Sequence, residues 1–74
     1  MIHYPSQKTI EYLRNEYPEG TRIQLIHMSN DPKPVPDNTL GTVKFIDDMG
    51  TIHMNWDNGR SLGLIPERDD FTKL

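Results

Sequence analysis

Three histidines, two pairs of adjacent aspartates and three serines are the first candidates in this 74-residue chain for catalytic or metal-binding chemistry. They are His3, His27 and His53, Asp47-Asp48 and Asp69-Asp70, and Ser6, Ser29 and Ser61. A metal site needs ligands spaced to converge on one ion, and none of the histidines belongs to an HxH or HExxH run. There is no cysteine to supply a thiolate. Adjacent aspartates on a strand point to opposite faces, and aspartate is common in turns, so neither pair forms an acid/base couple by itself. No serine lies in a G-x-S-x-G turn and no glycine loop is built to cradle phosphate. The expectation is therefore a chain with no catalytic centre, no metal and no cofactor.

The elements that would position a binding surface are legible in order. Ser6 is a good N-cap, and Ile10, Leu13 and Tyr17 follow at the spacing of one helical face, which predicts a helix from about Gln7 to Glu16. Tyr4 or Pro5 is placed to staple onto Ile10. Tyr17-Pro18 ends the helix, because the residue before a proline is pushed out of the helical region, and Glu19-Gly20 turns the chain.

Thr21 to Met28 opens the β part. Ile23 and Leu25 share one phase and Ile26 and Met28 break it, which predicts a bulge. Ser29 to Asn38 contains three prolines, cannot sit in a ladder and reads as a long irregular loop. Leu40 to Ile46 is the next strand, with Val43 and Phe45 expected inward and Lys44 outward. A four-residue loop, Asp47 to Gly50, then pairs Val43 with Met54 and Phe45 with Ile52.

The run from Gly50 to Pro66, GTIHMNWDNGRSLGLIP, is a second hairpin. A two-residue turn at Asn58-Gly59 would put Leu62 and Leu64 on the polar face. A type I turn over Asp57-Asn58 with Gly59 left-handed instead pairs Trp56 with Arg60, Met54 with Leu62 and Ile52 with Leu64, giving a continuous apolar face. Gly50, Trp56, Asp57, Asn58, Gly59, Leu62 and Leu64 are therefore expected to be structural. Arg60 should lie near the Trp56 ring, a cation–π contact worth about 1 kcal/mol. Ile65 to Asp70 breaks the strand and has room for one helical turn, and Phe71 to Leu74 is a last short strand.

The expected fold is mainly β: a small SH3-like barrel of about five short antiparallel strands with an N-terminal α-helix. Residues 1–20 supply the helix and linker and residues 21–74 the barrel, as a single domain. Its core is drawn from Ile23, Leu25, Val43, Phe45, Ile52, Met54, Leu62, Leu64 and Phe71.

Charge narrows the partner. Residues 1–46 carry five basic and five acidic side chains, and residues 47–74 carry six acids against Arg60, Arg68 and Lys73, so the formal charge of −3 resides in the C-terminal part. Non-specific nucleic-acid binding draws on Lys and Arg, and the strip of Arg22, Lys33 and Lys44 is a thin footprint. Without a membrane-length apolar run, a signal-peptide core or any cysteine, a cytoplasmic setting is expected.

The first functional reading is a non-catalytic module that binds a protein partner through the long loop and the surface beside it, with Lys33, Val35 and Asp37 as loop contacts and Arg60, next to Trp56, as a further candidate. An alternative is an inhibitor whose acidic surface, Asp47, Asp48, Asp69 and Asp70, occupies a nucleic-acid site on another protein. A weak nucleic-acid-binding module is the third.

Three runs carry a resemblance: YPEGTRIQLIHMSNDP, GTVKFIDDMGTIHMNWDNGRSLGLIP and DDF. Together they are similar, from about Leu13 onward, to a family of small bacterial and phage proteins catalogued as a domain of unknown function, number four-three-one-four. The WDNGxSLxLIP run is the most specific part. Glu67-Arg68 departs from the glycine-containing turn expected after Ile-Pro. The resemblance implies an accessory or host-interaction role in phage or other mobile elements, and hence the cytoplasm of a bacterial host. For the acidic-surface alternative it implies an anti-defence action. It implies no catalytic residue.

Overall fold

The computed structural model describes residues 5–74. His3 and the Tyr4 staple lie outside the described residues. Helix α1 spans Gln7–Glu16, as its cap and stripe predict. The Ser6 hydroxyl accepts the Thr9 amide at 3.1 Å, and the Tyr17 amide closes the last turn on the Leu13 carbonyl. Its inner face buries Ile10 and Leu13. Tyr17 continues the stripe by packing edge-on against Phe71 at 5.6 Å.

Four strands follow: β1 (Arg22–His27), β2 (Leu40–Ile46), β3 (Ile52–Trp56) and β4 (Asp70–Lys73). They form one antiparallel sheet in the order β3-β2-β1-β4, so β1 sits between β2 and the last strand. The bulge expected in β1 lies between Leu25 and His27, against β4. The extra residue leaves Ile26 on the surface and returns Met28 to the core.

A second bulge lies in β2, between Val43 and Phe45, and it corrects the expected register. Val43 pairs with Met54 as expected. Past Lys44, however, Phe45 pairs with His53 and Ile46 with Ile52. One extra residue in a strand reverses the facing of everything beyond it. Ile46 therefore occupies the core, while Phe45 is 53% exposed and stacks on the His53 ring, with centroids 4.3 Å apart.

The bulged turn after Trp56 forms as the register argument requires. The Trp56 amide donates to the Arg60 carbonyl, the Gly59 amide donates to the Trp56 carbonyl, and Gly59 has φ +89°. The expected fifth strand does not extend from it. Ile52 pairs with Leu64 in a single two-bond bridge, and the described strands number four in an open sheet. At Leu62 the carbonyl, to which a Met54–Leu62 pair would direct a ladder bond, accepts the Trp56 indole N–H at 2.7 Å instead. Trp56 also fixes the residue beneath it, because a Cβ on Gly41 would stand 2.5 Å from its ring carbon Cε3.

The long loop is anchored at both ends and in the middle. The Asn38 amide donates to the Leu25 carbonyl and the Ser29 amide to the Asp69 carboxylate. Val35 reaches into the core at 1% exposure. Replacing Val35 by alanine should cost about 2 kcal/mol, from lost apolar burial and a residual cavity, whereas Lys33→Ala, on the exposed side, should cost almost nothing. Urea unfolding of the two variants measures that contrast; equal midpoints would remove Val35 from the core.

Candidate docking groove

Six large apolar residues are exposed among the described residues, and three of them, Tyr12, Met49 and Ile65, converge on one groove. It is lined by Pro5, Thr9, Tyr12 and Leu13 on the helix side, Met49 and Gly50 on the β2–β3 turn, and Ile65, Pro66 and Glu67 on the connection to β4. Its volume is about 300 Å³. Thr9 and Tyr12 are one helical turn apart, so the helix presents a second, outward-tilted row beside the buried Ile10 and Leu13.

Each wall is held by identifiable bonds. Arg14 donates to the Ile46 carbonyl at 3.0 Å and to the Asp48 carboxylate at 3.0 Å, tying α1 to the end of β2. The Asp47 carboxylate accepts the amides of Met49 and Thr51 at 2.9 and 3.0 Å, which aims Met49 at the groove. Its other oxygen lies 2.8 Å from His53 Nε2. Burial alone would push the Asp47 carboxyl up. The hydrogen bonds from His53, Thr51 and Met49 outweigh it and hold the group below the ordinary carboxylate range. Gly50, with φ +85°, lets the turn pass under the helix start: a Cβ there would meet Pro5 Cγ at 3.0 Å.

The third wall depends on Asp69. Its carboxylate is buried, 3% exposed, pairs with the Arg68 guanidinium at 2.9 and 3.1 Å, and accepts the Ile65 and Ser29 amides at 2.9 and 3.1 Å. Burial works against its charge, but the Arg68 hydrogen bonds, the two amides and the Arg68 charge together set it below the usual range. The Arg68 and Asp69 amides both close on the Ile65 carbonyl, so the expected helical turn is a tight hydrogen-bonded turn.

The residues singled out from the sequence are not brought together as one surface. Val35 is core and Asp69 is a buried clasp, so neither presents its side chain outward. Lys33 is exposed, and its carbonyl accepts the Arg60 guanidinium. That bond takes Arg60 away from the expected place over Trp56; the cation–π contact found is Lys73 over Tyr17, at 5.7 Å. Asp37 lies 3.0 Å from His27 Nδ1. Asp48 is paired with Arg14, Asp47 is engaged within its turn, and Asp70 is exposed at the start of β4.

The hairpin residues hold their structural places. Leu64 is fully buried and Leu62 packs on the core. The Asn58 side chain accepts the Arg60 amide at 3.0 Å. Asp57 does more than turn the chain, since both its oxygens accept Arg22 at 2.8 and 2.6 Å.

The groove itself was missed in the sequence reading. Two signals pointed to it: an apolar residue, Met49, at the tip of a polar turn, and Tyr12 standing outside the Ile10-Leu13-Tyr17 stripe.

Among the described residues no group of three or more His, Asp or Glu is arranged to hold a metal ion. A shallower hollow on the far side of β3 is lined by Thr51, His53 and Ser61, among others. Within it the His53 ring is hydrogen-bonded to Asp47, and among the described residues no hydroxyl is hydrogen-bonded to His53. No described helix is long and apolar enough to cross a membrane.

Fold and groove together define a helix-capped, four-stranded antiparallel β-domain with one apolar recess between the helix and two turns. The chain belongs to the family described as a domain of unknown function, number 4314, whose model matches residues 6–74. No curated protein and no solved structure is significantly similar to it.

Proposed function

We propose that the chain is a non-catalytic protein-binding module and that it engages its partner through the groove between α1, the β2–β3 turn and Ile65–Glu67. The observation that supports this is the convergence of Tyr12, Met49 and Ile65, which are 61%, 58% and 40% exposed, on a single recess. Exposed apolar side chains scattered singly need no explanation, whereas several gathered in one concavity are what binding surfaces contain. The long loop, by contrast, spends Val35 on the core and Arg60 on its own backbone.

The acidic surface offers less, because Asp47, Asp48 and Asp69 already have partners within the chain. We also read the open sheet as a spread SH3-like barrel, on the strength of its tight β2–β3 and post-Trp56 turns and the Leu64 bridge to the β3 edge. An accessory role in a phage or mobile element, inside a bacterial host, rests on family membership alone.

The test is affinity capture from host lysate with three baits: the native chain, Tyr12→Ser/Met49→Ser, and Lys33→Ala/Asp37→Ala. A partner identified by mass spectrometry should be held by the first and third baits and lost from the second. All four positions are exposed, so each double variant should keep the native melting temperature within a few degrees. Retention by the groove variant together with loss from the loop variant would return the site to the loop.

A further inference from the structure

We infer that the occupant of the groove is an extended protein segment carrying an aliphatic or aromatic anchor beside a lysine or arginine, whose cation pairs with Glu67. This deepens the reading of the groove as a protein-docking site and rests on it. Of the nine residues that line the recess, eight are apolar, glycine or threonine, and Glu67 is the one that is charged. Glu67 is exposed and, among the described residues, makes no ion pair. Its neighbours in the chain are accounted for: Arg68 is committed to Asp69, and on the opposite rim Asp48 is neutralised by Arg14. Among the described residues the recess thus offers apolar walls and a single unpaired negative charge at one lip.

Both parts select the ligand. A floor made of Leu13 and walls of Tyr12, Met49 and Ile65 favour an apolar anchor, and a volume of about 300 Å³ sits at the small end of ligand pockets, about 300–1,000 Å³. That is room for an anchoring side chain and its neighbour. An acidic segment would bring like charge to Glu67 on a chain already at −3. The same charge argues against a second copy as occupant, because a two-fold dimer centred on the recess would bring two Glu67 carboxylates together.

Panning a displayed library of random dodecapeptides on the native chain tests this. Enriched peptides should carry Lys or Arg within a few positions of a large apolar residue. As synthetic fluorescein conjugates read by anisotropy, they should lose most of their binding to Tyr12→Ser/Met49→Ser. Against Glu67→Gln they should weaken roughly two- to fivefold at low salt, with the difference shrinking as salt is added. Peptides lost from the Tyr12/Met49 variant but lacking a basic residue, or indifferent to Glu67→Gln, would overturn the charge pairing and leave the docking site standing. Peptides indifferent to the Tyr12/Met49 variant, or no enrichment at all, would overturn both. Concentration-dependent dimerisation abolished by Met49→Ser in analytical ultracentrifugation would make a second copy the occupant and overturn the inference.

Discussion

Trp56→Ala should lower the unfolding free energy by about 3–5 kcal/mol, the range for removing a large buried aromatic ring. A 74-residue domain holds roughly 4–11 kcal/mol in total, so the variant should lose a quarter or more of its stability, and all of it at the low end of that range. The ring, 3% exposed, covers Gly41 and lies among the core residues, and its indole N–H occupies the Leu62 carbonyl. Trp56→Phe separates the two contributions. It keeps most of the apolar contact and removes the donor, and should cost about 1–2 kcal/mol. Because that donor holds the arm running to Leu64, the Leu64 amide should exchange with solvent faster in Trp56→Phe than the loss in global stability requires. Urea unfolding followed by circular dichroism gives the first quantity and native-state hydrogen exchange the second. A Trp56→Ala midpoint close to the native one would mean that the core does not depend on this ring.

The other large effect belongs to Asp69. Asp69→Asn leaves the Arg68 guanidinium without its counter-charge and weakens the bonds from the Ser29 and Ile65 amides. Severing a buried ion pair from one side costs about 3–5 kcal/mol, and since Arg68 remains a quarter exposed the expected loss is nearer 2–3 kcal/mol.

The pH dependence has a definite sign. The folded-state pKa of Asp69 is depressed, so its stabilising contribution is complete above the unfolded-chain value, near pH 4, and is lost as pH falls through the lower folded value. Asp47 is depressed as well and titrates in the same direction. Native protein should therefore lose stability steeply below about pH 4. Asp69→Asn should start lower at pH 7 and decline less. Parallel curves for the two proteins, from urea titrations between pH 7 and pH 3, would show that the carboxylate charge is not what holds the clasp.

How much of this was legible before any coordinates follows from which interactions are local. Helix α1 could be read to the residue because its cap, its stripe and its Tyr17-Pro18 stop all lie within one short stretch. The turn at Asp57-Asn58-Gly59 was fixed by asking which register keeps Leu64 with Ile52, and the β1 bulge by the phase change at Ile26. The β2 bulge left a fainter trace, the adjacent pair Phe45-Ile46, which reads equally as a regular strand ending in one extra apolar residue, and the three-dimensional fit decided that Ile46 and not Phe45 fills the core.

Val35 was misjudged for a related reason. A lone valine among prolines looks like loop, and nothing nearby in sequence says that the core has a vacancy there. The groove was harder still, since Tyr12, Met49 and Ile65 are brought together by contacts such as Arg14 to Ile46 and Ser29 to Asp69, across separations that no local pattern encodes.

Placing β1 between β2 and β4 also dictates the order in which the chain can assemble. The β2–β3 hairpin closes across a turn of a few residues, while β4 must find β1 from far along the chain, Ile23 against Lys73 being about fifty residues apart. With loop-closure entropy rising by about 0.6 kcal/mol per doubling of length, the second event is costlier by about 2 kcal/mol before any contact repays it. The hairpin is then the natural nucleus and β4 the late arrival, docking once β1 has joined β2. Asp69 lies just before β4 and Phe71 within it, so the Ser29–Asp69 bond and the Tyr17–Phe71 contact close in that last step. Until then the Ile65 wall of the groove, though joined to the hairpin through the Leu64–Ile52 bridge, lacks its tie to the long loop through Asp69 and Ser29.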